Sequence, residues 1–207
     1  EFLTEQYDRP SEPRVLTFED GVIPTQEASL PDPYQTNFNA RVEHFYNLFT
    51  GERSRDINTR IERTRQYSDL IQATAERHNI HPETLYAIVV NESGGDSQAI
   101  NNEGDAGLAQ ISDITAAELI RLGHPCQDRL DPEQNLEAAA FYLRHLMDKE
   151  VLSVDSNLAI AAYTIGTTGV LNAMNRTGGT NYAETFPGSY VPKIRSVERI
   201  VVEREMF

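Results

Sequence analysis

Apolar side chains recur every three or four residues along most of the chain after residue 40, which is the spacing of one face of an α-helix. Pro82 and Pro132 fit helix starts, because proline is favoured in the first turn. Asp131 adds an N-cap, with Gln134 three residues after it. The pattern predicts helices over residues 40–50, 67–79, 82–92, 114–122, 132–147, 156–166, 170–175 and from 192 onward.

Residues 94–111 break this pattern, since glycine, asparagine and aspartate dominate there. Such residues favour turns, so we expect a long loop with a small β-hairpin around residues 101–104. No internal repeat is visible in the sequence. The predicted fold class is therefore mainly α, with a small β-hairpin region.

Residues 1–33 differ in composition from the rest of the chain. They contain five of the ten prolines, and eight acidic residues against two arginines. A segment of this kind buries too little apolar surface to fold alone. We divide the chain into an extended Pro-rich acidic arm (1–39), a helical lead-in (40–65) and a main domain (66–207). Two roles stay open for the arm, either a linker or a segment that wraps the domain and plugs its cleft.

The net charge and the cysteine content exclude several classes of function for this chain. The formal net charge of −14 argues against nucleic-acid binding, because the phosphate backbone attracts Lys and Arg. The single Cys126 excludes a disulfide within the chain and a paired-cysteine metal site. We interpret His78 and His81 as surface or capping residues, and we expect no metal and no cofactor. No stretch approaches the roughly 20 apolar residues of a membrane span.

One carboxylate stands out in the helical pattern. Leu85, Ile88 and Val89 form an apolar helix face, and Glu92 is the next position on that face. The alternative is a helix-terminal glutamate that bends out to solvent. Burial and the negative end of the helix dipole both disfavour the charged form, so we expect a raised pKa for Glu92. An acid that stays protonated near neutral pH can protonate a leaving oxygen, as glycoside cleavage requires.

Several short motifs around Glu92 carry a family resemblance. In chain order they are Glu92-Ser93, GDAGLAQI at 104–111, DPEQN at 131–135, AAYTIG at 161–166 and Tyr190-Val191-Pro192. Their order and spacing resemble the family 1 lytic transglycosylases, which have a lysozyme-like fold related to goose-type lysozyme. The run 67–207 is similar to that whole catalytic domain. Residues 42–71 are similar to the segment before the domain in the membrane-bound murein transglycosylase D branch.

The resemblance implies a role for each matching residue. Glu92 would be the only catalytic acid/base, protonating the β-1,4 bond between N-acetylmuramic acid and N-acetylglucosamine. It would then accept the proton of the sugar's 6-hydroxyl as that oxygen closes a 1,6-anhydro ring. Ser93, Gln110 and Tyr163 would bind substrate. Tyr163 lies off the apolar stripe of its helix, so we expect its hydroxyl to hold Glu92, the alternative being a packed aromatic. Tyr190 is a candidate cleft wall.

Two positions depart from the family's pattern. Ala109 stands where the family's GLMQ stretch has methionine, which would remove an apolar cover from the sugar and widen the pocket. Thr164 stands where the family has asparagine, and it offers a shorter hydroxyl in place of an amide. We assign both to substrate binding, and both put the usual activity or substrate in question.

Three other acidic residues of the loop are the alternatives to Glu92 as the catalytic acid. Asp96, Glu103 and Asp105 lie in the Gly-rich loop, and we interpret them as capping and solvated residues, with a catalytic role as the alternative.

The resemblance implies a peptidoglycan lytic transglycosylase whose partner is the peptidoglycan glycan strand. We expect a periplasmic monomer whose only membrane attachment is a lipid anchor outside this chain, at the outer membrane. Two alternatives stay open. One is a lysozyme-type hydrolase, in which water attacks instead of the 6-hydroxyl. The other is a catalytically weak peptidoglycan-binding protein of an envelope machine.

Overall fold

The computed structural model describes residues 33–51 and 54–207, and this part of the chain is mainly helical. This confirms the mainly α prediction. Its elements are α1 (Pro33–Thr50), α2 (Arg55–Thr64), a 3-10 turn (Arg65–Tyr67), α3 (Ser68–Arg77), α4 (Pro82–Glu92), α5 (Asp113–Arg121), α6 (Pro132–Met147), α7 (Glu150–Ser153), α8 (Ser156–Thr177), α9 (Tyr182–Thr185) and α10 (Tyr190–Glu203).

Helix α4 forms the middle of the core. Every residue from Leu85 to Val90 is completely buried. Helices α2, α3 and α10 all pack against it, which explains why it is apolar on every side rather than on one stripe. The hydroxyl of Tyr86 donates a hydrogen bond of 2.6 Å to the carbonyl oxygen of Ile61, so the polar tip of this buried ring is satisfied.

Helix α1 begins earlier than predicted. Residues 33–39 are helical, so the assignment of an extended arm as far as residue 39 was wrong over that stretch. Tyr34, Phe38 and Val42 are spaced four apart and continue one helical face, and Phe38 is buried with its ring edge-on to Tyr182 at 5.5 Å. The remaining arm, residues 1–32, lies outside the described residues. The prediction that the arm plugs the cleft concerns those residues and stays a prediction.

The lead-in packs on the main domain. Helix α1 lies along α10, α2 lies against α4, and the described residues form one compact unit. The end of α4 is therefore supported from the lead-in side as well as from the C-terminal helix.

The long loop between α4 and α5 contains two isolated antiparallel bridges, Ile100 to Ala106 and Ala106 to Ile111. The predicted turn is present at 101–104, where the amide of Gly104 donates to the carbonyl of Asn101 at 3.1 Å. The expected hairpin is thus reduced to single bridges. Side chains supply most of the other hydrogen bonds of this loop, and they hold the backbone in place of a ladder.

Buried Asn135 on α6 is the main support of that loop. Its amide nitrogen donates to the carbonyls of Ala106 (2.9 Å) and Arg129 (2.7 Å), and its oxygen accepts from the amide of Ala109 (2.8 Å). Gly107 lies directly above it with φ 81°, and a Cβ there would approach the Arg129 carbonyl oxygen to 2.0 Å. Only glycine fits this close approach.

Helix α8 is broken at Gly166 and resumes immediately. Gly166 has φ 71° and ψ 161°, a region open essentially to glycine alone. The predicted helix end at Gly166 is therefore a kink, and the predicted short helix over 170–175 is part of the continuing α8. Ile165 was expected to pack inward, but it is 48% exposed because the kink turns it toward the surface.

Candidate active site

An open pocket of about 330 Å³ lies at the C-terminal end of α4. Glu92 lines it together with the end of the long loop, the start of α5 and the kink of α8. The other lining residues include Asp105, Gln110, Ile114, Tyr142, Tyr163, Thr164 and Ile165. The pocket thus brings together Glu92 and three of the residues predicted to bind substrate.

The chain must leave the helix directly after Glu92. Gly94 and Gly95 have φ of 61° and 77°, and a Cβ on Gly95 would meet the backbone nitrogen of Thr64 at 2.7 Å. The guanidinium of Arg63 donates a 2.6 Å hydrogen bond to the carbonyl of Gly94. Contact with α2 therefore fixes the turn that leaves Glu92 at the edge of the pocket.

Tyr190 holds the carboxyl group of Glu92. Its hydroxyl donates to Oε1 of Glu92 over 2.5 Å, across 98 residues of sequence. Tyr163 was predicted to make this contact, and that prediction was wrong, because its hydroxyl donates instead to the carbonyl of Ala109 at 2.9 Å. Tyr190 stands on the first turn of α10, which packs directly on α4. Tyr163 lies over the long loop and supports its backbone.

The pKa of Glu92 is raised above its ordinary value. Burial of the carboxyl is the main cause; the hydrogen bond from Tyr190 opposes it, and the negative charge of Asp105 adds to it. Burial also raises the pKa of Tyr190 well above its ordinary value, with the Glu92 charge as a second cause. The phenol therefore stays a donor. Burial thus shifts Glu92 toward its protonated form, which is the direction that the sequence predicts.

The loop acids differ in their placement. Asp105 lines the pocket, and its carboxylate accepts a 2.8 Å hydrogen bond from the side-chain amide of Asn101. Asp96 caps a turn by accepting from the amide of Gln98 at 3.0 Å. The backbone amide of Glu103 donates to the Asn101 side chain, within the same turn. Of these three, Asp105 is the one that faces Glu92 across the pocket.

Gln110 is fixed by the loop it belongs to. It has φ 49°, and its amide nitrogen donates to the carbonyls of Ala99 (3.1 Å) and Gly107 (2.9 Å). These bonds leave the side-chain oxygen as the atom that a ligand in the pocket can use.

The remaining predicted residues occupy varied positions. The Ser93 hydroxyl accepts from the amide of Gly95 at 3.1 Å and so belongs to the turn after α4. Thr164 lines the pocket, although its hydroxyl donates to the Ala161 carbonyl at 2.9 Å. Ala109 is completely buried, so its predicted contact with the sugar was wrong. Its backbone bonds to Asn135 and Tyr163 explain why this position faces the interior.

No group of three His, Cys, Asp or Glu side chains in the described ranges is arranged to hold a metal ion. His78 pairs with Glu137, with 2.6 Å between Nε2 and Oε1.

Residues 69–186 match the transglycosylase SLT domain. The chain belongs to that family. Glu92, Gln110 and Tyr163 fall inside the match, whereas Tyr190 lies four residues beyond its end. The partner of the acid thus lies outside the matched residues.

Several proteins named for murein transglycosylase activity resemble this chain. Membrane-bound lytic murein transglycosylase F of Desulfosudis oleivorans is 35% identical over 115 residues, which is 53% of this chain and 23% of that protein. Membrane-bound lytic murein transglycosylase E of Buchnera aphidicola is 28% identical over 122 residues, covering 54% of this chain and 55% of that protein. The chain thus spans from about a quarter to about half the length of these relatives.

The fold resembles that of a solved lytic transglycosylase. An inactive mutant of Slt from Pseudomonas aeruginosa aligns with a TM-score of 0.57 and 23% identity, over 66% of this chain and 24% of that one. This confirms the predicted lysozyme-like fold. The likeness of residues 42–71 to the D branch stays a prediction. Although the relatives are named membrane-bound, no helix within 33–51 or 54–207 is long and apolar enough to cross a bilayer.

Proposed function

We propose that this chain is a peptidoglycan lytic transglycosylase that cleaves the β-1,4 bond between N-acetylmuramic acid and N-acetylglucosamine. The observation that carries the proposal is Glu92, a carboxylic acid with a burial-raised pKa, held by a short hydrogen bond at the edge of an open pocket. The names of the relatives supply the substrate class.

In the first step, protonated Glu92 gives its proton to the glycosidic oxygen as the bond from that oxygen to C1 of the muramic acid breaks. The substrate's own N-acetyl oxygen stabilises the positive charge that develops at C1. The hydroxyl of Tyr190 stays hydrogen-bonded to Glu92 and stabilises the carboxylate that this step leaves behind.

In the second step, the Glu92 carboxylate takes the proton of the muramic acid 6-hydroxyl. The freed oxygen forms the new bond to C1, and a 1,6-anhydro ring results. No water is consumed, and Glu92 ends protonated and ready for the next bond. This cycle needs one acid/base, so Asp105 has no proton to transfer in it and acts only through its charge on Glu92.

Substrate binding falls to the residues around the pocket. We propose that the Gln110 side-chain oxygen accepts a hydrogen bond from an amide or hydroxyl of the sugar, and that Thr164 contacts the sugar from the kink of α8. Ser93 acts indirectly, through the turn that places Glu92. Ala109 supports the loop backbone, so the loss of the family's methionine does not open the pocket.

We extend the proposal to location and assembly. The relatives are named membrane-bound murein enzymes, and murein lies outside the inner membrane. We therefore place the site of action in the periplasm, at the outer membrane, and we propose that the protein acts as a monomer on glycan strands.

Product analysis tests the function directly. Purified murein sacculi are incubated with the protein, and the soluble fragments are measured by mass spectrometry. We expect fragments that end in 1,6-anhydro-N-acetylmuramic acid, lighter by one water than the reducing form. Reducing ends would instead identify a lysozyme-type hydrolase. Tight binding to the sacculi without any released fragments would identify a binding protein.

The Glu92→Gln variant is the matched control for that assay. It keeps the shape of the side chain and removes the transferable proton. We expect the rate to fall by about 10²- to 10⁴-fold, the usual contribution of a general acid. Cleavage at the wild-type rate would exclude Glu92 as the acid.

A further inference from the structure

A second groove lies on the other flank of the helix end that carries Glu92. It has a volume of about 330 Å³ and opens between α1, α2, α4 and α10. Its floor is apolar and its rim is polar. Its lining includes Leu48, Ile57 and Asn91 and the charged side chains of Asp56, Arg60 and Lys193. We call it the lysine groove.

The lysine groove adjoins the catalytic centre at two points. Asn91 lines it and immediately precedes Glu92 on α4. Lys193 lines it one helical turn after Tyr190 on α10, and Tyr190 is the residue that holds Glu92. The groove and the active-site pocket therefore meet the same end of α4, at the neighbouring residues Asn91 and Glu92.

Arg60 ties the groove to the turn after Glu92. A Cβ on Gly94 would meet Cγ of Arg60 at 2.8 Å, so the arginine stem lies against that turn. The Arg60 guanidinium pairs with Asp56 at 3.1 Å, and the carboxylate of that pair is 82% exposed. An exposed pair of this kind contributes little to stability.

Lys193 is the unusual group in the lysine groove. The sequence contains two lysines and has a net charge of −14. Within residues 33–51 and 54–207, the Lys193 ammonium forms no ion pair, and it lies 5.4 Å from the centre of the Phe45 ring. A half-buried cation over an apolar floor, in an acidic protein, favours a ligand with a carboxylate and small aliphatic groups.

We propose that the lysine groove binds the peptide stem of murein, with Lys193 pairing with a stem carboxylate. This inference rests on the proposed function. The peptide is linked to the lactyl group of muramic acid, the sugar whose bond Glu92 breaks, so it leaves the glycan beside the catalytic centre. Murein carries its free carboxylates in the peptides and not in the glycan backbone, so charge selects the stem over further sugars.

Binding to a protein that cannot turn over separates this proposal from the proposed function. Two ligands are titrated calorimetrically into the Glu92→Gln protein. One is a soluble disaccharide tetrapeptide with free peptide carboxylates, and the other is the same compound with those carboxylates amidated. We expect the free acid to bind about five- to tenfold more tightly, since one ion pair in a half-buried site is worth roughly that factor.

Further substitutions in the Glu92→Gln background assign the preference to Lys193. Lys193→Met keeps the length of the side chain and is expected to abolish the preference, whereas Lys193→Arg should retain it. Lys149→Met, at the N-cap of α7, is the control for losing a lysine elsewhere and should leave the preference intact. A preference that survives in Lys193→Met, or no measurable binding of either ligand, would overturn the proposal. The cleavage assay on the unmodified chain decides the proposed function independently.

Discussion

The active-site pocket has two walls that are built by different means. The acid wall consists of Glu92 and Tyr190, which two helices bring together through apolar packing and one side-chain hydrogen bond. The loop wall consists of residues 105–112. Buried Asn135 and half-buried Tyr163 hold its backbone from outside, and the side chain of Gln110 bonds back to Gly107 within it. Because of this difference, we expect the loss of a polar side chain to lower the free energy of unfolding in the loop wall and kcat/KM in the acid wall.

Removing Asn135 should give the largest effect on stability. Asn135→Ala removes three hydrogen bonds, those to the carbonyls of Ala106 and Arg129 and that from the amide of Ala109, at a cost of roughly 1 kcal/mol each. The Ala106 carbonyl keeps its bond from the Ile111 amide. We expect the free energy of unfolding to fall by about 3 kcal/mol, measured by urea denaturation. Glu133→Ala, at an exposed position of the same helix, is the comparison and should cost less. Equal losses in the two variants would contradict the role given to the loop wall.

Removing the hydroxyl of Tyr190 should act on catalysis instead. We expect Tyr190→Phe to lower kcat/KM by about tenfold on murein strands, because Glu92 loses the donor that orients it. Tyr163→Phe is the matched control, since it removes the same atom from a second tyrosine of the site, whose bond goes to the loop and not to Glu92. It should change kcat/KM by less than about threefold. If the two variants lost activity equally, the two walls would not differ as described.

The pH profile of Tyr190→Phe gives a second test. The profile should shift only if the Tyr190 hydroxyl acts on the pKa of Glu92, and not if Tyr190 merely supports the fold. The hydrogen bond from Tyr190 lowers the pKa of Glu92, so its loss should raise that pKa further. Activity requires the protonated acid, and kcat/KM falls as the pH rises through this pKa. The alkaline limb of the profile should therefore move to higher pH in this variant.

Asp105→Asn should produce the smallest effect, and in the opposite direction. The Asp105 charge raises the pKa of Glu92, so its removal should lower that pKa. The alkaline limb of kcat/KM should then move to lower pH, with little change at its plateau. A large loss at the plateau would instead give Asp105 a direct part in the reaction, as a hydrolase with two carboxylates would need.

The sequence predicted the acid wall only in part. Periodicity placed Glu92 on the buried face of α4, and burial alone gave the correct direction of its pKa. The same reasoning chose Tyr163 over Tyr190 as the partner, because helical spacing shows which face a residue occupies but not which distant helix meets that face. Tyr190 is separated from Glu92 by 98 residues, and only the packing of α10 on α4 joins them.

The sequence predicted a loop at the position of the loop wall, but not the side chains that hold its backbone. GDAGLAQI marked the loop, and Asp131 and Pro132 marked the start of α6. Nothing in that pattern distinguished Asn135, a polar residue on an apolar face, from an exposed side chain. Ala109 was misplaced for a related reason: a substitution within a motif does not reveal whether the side chain faces the ligand or the interior.

The position of helix α10 along the chain determines when the acid wall is completed during synthesis. The helix begins with Tyr190-Val191-Pro192, the last of the motifs along the chain, so it leaves the ribosome after Glu92 and the loop motifs. Until then, Glu92 has no hydroxyl to orient it and α4 has one side uncovered. A nascent chain that already carries Glu92 and the loop motifs therefore still lacks the hydroxyl that orients the acid, and the acid wall is complete only when translation has passed the start of α10.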